Sequence, residues 1–167
     1  EYNGESAEQS FRVKDQAPEI LAPDTLITTY WSKQFHELEL ESVNRSGREW
    51  FGETFGTVTS RSVSFNVPFA TSKPGKLDFR VAAQSMGSSS LFTLSAGQVI
   101  STASPSYTSQ TSTSNVVNLA SGSQDGAVVS GSGLNARIEV DINFEAAVSG
   151  ALGWLDYVRI AQECDLN

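Results

Sequence analysis

The 167-residue chain carries 19 acidic against 11 basic side chains, a formal charge of −8, with 39% hydrophobic and 18% charged residues. These are the proportions of one globular domain able to close a core without covalent staples. The acidic balance excludes a nucleic-acid surface, which needs clustered Lys and Arg. No apolar run approaches the ~20 residues of a membrane span, and a lone cysteine, Cys164, allows no internal disulfide.

The chain opens at Glu1, as expected of a mature product or an excised segment. Residues 1–25 are polar, with Pro18, Pro23 and several acids, and are expected to form an extended lead-in or linker. Phe11 and Val13 alternate with polar neighbours and fit one short strand there. Asp24-Thr25-Leu26 resembles a short O-glycosylation pattern of Bacteroidetes envelope proteins, and a simple turn is the preferred reading. A single β-sandwich domain is expected over 26–167. Leu26, Ile27, Tyr30 and Trp31 form its first apolar cluster. Residues 35–41 combine a helical spacing of Phe35, Leu38 and Val43 with an alternation of Leu38 and Leu40 against glutamates, and the strand reading is preferred. Asn44-Arg45-Ser46-Gly47 is turn chemistry.

The stretch Ser46–Gly56 packs three large aromatics, three glycines and three charges into eleven residues. Trp50, Phe51 and Phe55 are expected to anchor it on the sandwich. Gly52 is expected to admit a close backbone approach, with Arg48 placed to pair with Glu49 or Glu53. Beyond it the pattern switches to period two. Val63, Phe65 and Val67 make one strand, ended by Pro68. Lys73-Pro74-Gly75-Lys76 turns into a strand with Leu77, Phe79, Val81 and Ala83 on one face, and Leu91–Leu94 and Val99-Ile100 follow. Ten of the residues 101–115 are Ser or Thr, which reads as a solvated loop or polar edge strand with Tyr107 as its anchor. Strand character returns at Val116–Leu119, and Gln124-Asp125-Gly126 is read as a turn. Ile138, Val140, Ile142 and Phe144 give the cleanest alternation. Trp154–Ile160 has apolar residues on both faces, as in a strand buried between layers. Many short strands, frequent turn signals and little helix predict an all-β fold, an antiparallel jelly-roll-like β-sandwich.

Catalytic chemistry finds few candidates. Nucleophilic catalysis needs a nucleophile and a base within reach, and the only pair is Cys164 and His36, one near the end of the chain and the other in a charged segment. Zinc needs three or four N or S ligands, more than these two supply. Calcium takes oxygens, and Asp125, Glu139, Asp141, Glu145 and Asp156 offer them without the spacing of a calcium loop, so no cofactor and no metal is expected. Glu37, Glu39 and Glu41 read as the solvent face of a strand rather than as paired catalytic carboxylates. Exposed aromatics can stack on sugars, and Trp31, Trp50 and Tyr107 are the candidate contacts. The competing reading, preferred for Trp31, Trp50 and Trp154 alike, is burial in the core.

The run Gly47-Arg48-Glu49-Trp50-Phe51-Gly52-Glu53-Thr54-Phe55 resembles a segment of the type IX secretion sortases of Bacteroidetes, in the gingipain family of cysteine peptidases. Thr29-Tyr30-Trp31, His36-Glu37 and Trp154-Leu155-Asp156-Tyr157-Val158 match in the same order, so that the resemblance spans about residues 28–160. In that family these motifs belong to a β-rich region before the peptidase domain, and the catalytic His and Cys lie in a later α/β domain that nothing here matches. The resemblance therefore implies a non-catalytic accessory domain, with no enzyme activity of its own. It implies an envelope or secreted location, and as partners the neighbouring peptidase domain and secretion-system components or cargo. The parent would cleave C-terminal sorting signals from secreted cargo. The alternative is a carbohydrate-binding module of a surface glycan-processing protein.

Overall fold

Alternating side chains become strands wherever one row can be buried and the other wetted, and this chain repeats that solution from end to end. A computed structural model describes residues 26–43, 47–97, 99–107 and 117–166. Among the described residues nine strands run in order: β1 Thr29–Glu37, β2 Thr54–Phe55, β3 Ser60–Asn66, β4 Gly75–Gln84, β5 Leu91–Ala96, β6 Val99–Ala103, β7 Asn118–Ala127, β8 Arg137–Glu145 and β9 Leu152–Asp165. A 3-10 turn at Gly133–Asn135 is the only helical element among the described residues. The lead-in at 1–25, with the Phe11/Val13 strand and Asp24-Thr25, lies outside the described residues, as do 44–46 and most of the Ser/Thr run at 108–116.

Two antiparallel sheets face each other. The first has the order β1-β9-β4-β7, with β2 also paired to β9, and the second has the order β3-β8-β5-β6. Leaving aside the two-residue β2, consecutive strands change sheet except at the β5–β6 hairpin, the strand order of a jelly roll. The predicted all-β sandwich is the observed fold.

The core lies between the sheets. β8 buries Ile138, Val140, Ile142 and Phe144 and turns its charged residues outward. Across from it, β4 contributes Leu77, Phe79, Val81 and Ala83. Phe55, Phe92 and Phe144 close one end, with the Phe55 and Phe92 rings edge to face at 5.4 Å and Phe92 and Phe144 at 4.8 Å, the spacing at which ring quadrupoles attract. Gly153 on β9 sits beneath them, where a Cβ would stand 2.6 Å from the Phe92 ring.

Three expectations change. The expected turn at Gln124-Asp125-Gly126 is part of β7, hydrogen-bonded to β4, with Gln124 opposite Leu77 and Asp125 opposite Lys76. β7 is a sheet edge, so backbone pairing on one side holds it without an apolar row. The expected apolar cluster of Leu26, Ile27, Tyr30 and Trp31 does not enter the core, because β1 is the opposite edge and these side chains are exposed. Tyr107 is exposed as well and anchors nothing in the core.

Candidate functional site

After β1 leaves the sheet at Glu37, residues 38–43 and 47–53 form the two arms of a strap, and the chain returns to the same edge of β9 as β2. The Gly52 amide donates to the Leu155 carbonyl at 2.8 Å, and the Leu155 amide donates to Glu53 at 2.9 Å. Gly52 is required because a Cβ there would stand 2.9 Å from both the Leu38 Cβ and the Leu38 carbonyl oxygen. A bridge between Glu41 and Phe51 ties the two arms of the strap together. Phe51 packs on Ala82 and Trp154, with Val43 and Val117 at the margin, and makes a second small core on the outside of the first sheet.

Charged groups frame that small core. Arg80 donates to Asp156 at 2.8 Å and to Glu49 at 3.0 Å. The Trp154 indole N–H donates to Glu41 at 3.1 Å, and His36 Nε2 lies 2.7 Å from Glu53. Burial pushes the Asp156 carboxyl above its ordinary range, against the pull of the Arg80 guanidinium. Glu41 thus lies exposed, as Glu37 and Glu39 do, and also accepts an indole N–H. Glu49 and Glu53 take Arg80 and His36 as partners.

The expected aromatic contacts do not converge. Trp31 is 46% exposed on the outer face of β1, opposite Glu163 of β9. Trp50 is 42% exposed on the strap, which meets β9 at Leu155. The two points on β9 are eight residues apart, roughly 27 Å at strand spacing. Tyr107 follows β6, near Asn118, whose amide donates to the neighbouring Ser106 carbonyl. Of the three tryptophans expected in the core, only Trp154 is there. Trp50 points away from the strap's packed side, and Trp31 stands on an edge strand. Phe35 was not among the candidates, yet it stands exposed beside Trp31 on the same strand face and stacks on Tyr157 at 5.6 Å. Its alternation with Trp31 and Lys33 along β1 was the available signal.

His36 and Cys164 do not form a dyad. His36 pairs with Val158 and Cys164 with Tyr30 across the β1–β9 ladder, six register positions or about 20 Å apart. Cys164 is fully buried, and burial pushes its thiol up, away from the thiolate a nucleophile needs. Glu139, Asp141 and Glu145 line the outer face of β8, Asp125 lies beside Lys76, and Asp156 is held by Arg80. Among the described residues no three His, Cys, Asp or Glu side chains gather as a metal site.

No family model and no curated protein matches the sequence. Among solved structures, the crystal structure of dimeric latent PorU from Porphyromonas gingivalis superposes with a TM-score of 0.65 at 27% identity over 86% of this chain. The chain is similar to a piece of PorU. It spans 13% of the PorU chain in that structure, so the likeness concerns one portion of a much longer polypeptide. Among the described residues no helix is long and apolar enough to cross a membrane.

Proposed function

We propose that this chain is a non-catalytic accessory domain of a PorU-like, gingipain-family cysteine endopeptidase of type IX secretion, acting at the cell envelope. The parent removes C-terminal sorting signals from secreted cargo, and this domain supports that work through contacts with the peptidase domain, secretion components or cargo. The observation that carries the reading is the PorU likeness over 86% of the chain, joined to the Arg48–Phe55 motif on the strap. The domain's own chemistry agrees. Its one thiol is buried, its one histidine is engaged by Glu53, Asp156 and Glu49 are held by Arg80, and Glu41 accepts from Trp154.

The test is deletion of residues 26–167 from the polypeptide that carries them. Cleavage of a small chromogenic peptide by the remaining protein is expected to persist, while processing of cargo bearing C-terminal signals falls. Loss of peptide cleavage in a folded deletion protein, or undiminished cargo processing, contradicts the proposal. The carbohydrate-binding alternative draws support from the exposure of Trp31, Trp50 and Tyr107, but their separation leaves no common platform for a sugar chain.

A further inference from the structure

Seven of the seventeen exposed large apolar side chains among the described residues fall within residues 26–40, on β1 and its two flanks. Trp31 and Phe35 project from one face of the strand with Lys33 between them, and Phe35 extends the patch onto Tyr157 of β9. Leu26 and Ile27 continue it at one end, Leu38 and Leu40 at the other. β1 is also a sheet edge. The opposite outer face of the molecule shows what this chain does with a surface meant for water. There β8 presents Glu139, Asp141 and Asn143, and Ser62 of β3 donates to Glu139. A concentration of exposed apolar side chains along an edge strand marks an interface.

We infer that this strip is where the domain packs against an adjoining domain of the same polypeptide, an inference that rests on the reading above that the chain belongs to a longer protein. Three observations select that occupant. The aliphatic side chains at 26, 27, 38 and 40 offer a protein core's contacts and nothing that orients a sugar ring. The charge of −8, with Glu37 and Glu39 among these residues, opposes pairing with a second copy. Finally, the Leu166 amide donates to the Thr28 carbonyl at 2.7 Å, so both ends of the sandwich lie side by side at the Trp31 end of the strip. Anything continuous with either end is tethered next to it, at an effective concentration on the order of millimolar. A tethered contact is stable with the modest area typical between domains, about 600–1,500 Å².

Hydroxyl-radical footprinting of the full natural polypeptide, compared with the 167-residue chain, tests this. Trp31 and Phe35 are expected to oxidise severalfold more slowly in the full polypeptide. The Trp31→Ser/Phe35→Ser double variant is expected to restore fast oxidation of Tyr157 there, while leaving the melting temperature of the 167-residue chain unchanged. Equal oxidation rates in both proteins overturn the inference. So does a dimer of the 167-residue chain that the double variant dissociates, or protection of Trp31 by a glycan-array ligand. Flanking sequence without a peptidase domain would sink the PorU-like reading alone, since the footprint compares the strip with whatever domain adjoins it.

Discussion

Trp50 and Phe51 are adjacent in sequence and opposite in fate. The bridge to Glu41 fixes the strap's orientation, so that Phe51 points onto Trp154 at 1% exposure while Trp50 faces solvent. Phe51→Ala is expected to cost about 3 kcal/mol, as for a buried aromatic, and Trp50→Ala less than ~1 kcal/mol, both read from urea unfolding midpoints. Equal costs would mean that Trp50 shares the anchoring. The three aromatics of the motif could be read as structural from sequence, but which two were buried could not. Alternation assigns sides only relative to a neighbouring strand, and the strap's neighbour is β9, about 100 residues later in the chain. Cys164 makes a second residue-scale case. A thiol reagent is expected to label it only as fast as the protein unfolds, and rapid labelling under native conditions would contradict its burial.

At the scale of elements, the strap is held by close backbone approach and by charge. Gly52→Ala forces a Cβ into the Leu38 carbonyl, and a cost of about 1–3 kcal/mol is expected, typical of overpacking. A variant as stable as the parent protein would show that the strap can shift freely. On the outer face of the first sheet, Asp78 accepts from Ser123 and from Arg159. The Ser123 bond, then Arg159, hold its carboxyl below the ordinary range against a raising effect of burial. A carboxyl lowered in the folded state contributes stability above its unfolded pKa, and that contribution disappears as pH falls through the folded value. Asp78→Asn is thus expected to lower the melting temperature at neutral pH and to leave it unchanged at pH values where Asp78 is already protonated. A uniform loss at every pH would contradict this. β3, β4, β5 and β8 were legible because each buries one row against the core, and β9 because its apolar residues fall on both faces. β7 was not, because an edge strand needs only its neighbour's backbone, and its Gly-Ser-Gln-Asp-Gly run carries the composition of a turn.

The whole molecule is a two-sheet sandwich with one wet face and one face partly roofed by the strap, crossed by the Asp78–Arg159 and Lys76–Asp125 pairs and lined with exposed apolar side chains along β1. The all-β class followed from period-two patterning alone, and the strand order did not, since pairing β9 with both β1 and β4 is a tertiary choice among many strands of similar length. The site stayed illegible for a related reason. Trp31, Trp50 and Tyr107 are all exposed, yet only topology shows that they stand on separate parts of the surface. The polar frame around Trp154 joins residues 36, 41, 49, 53, 80 and 156, which no local motif links. The proposed supporting role within a larger protein rests on the PorU likeness. Intact mass and peptide mapping of the natural polypeptide from its source cells test that role most directly. The expected result is a chain several times longer than 167 residues, with a His- and Cys-bearing α/β peptidase domain in continuous sequence with this one. A mature chain that ends with this sandwich, or one that continues into a glycosidase domain, would contradict it.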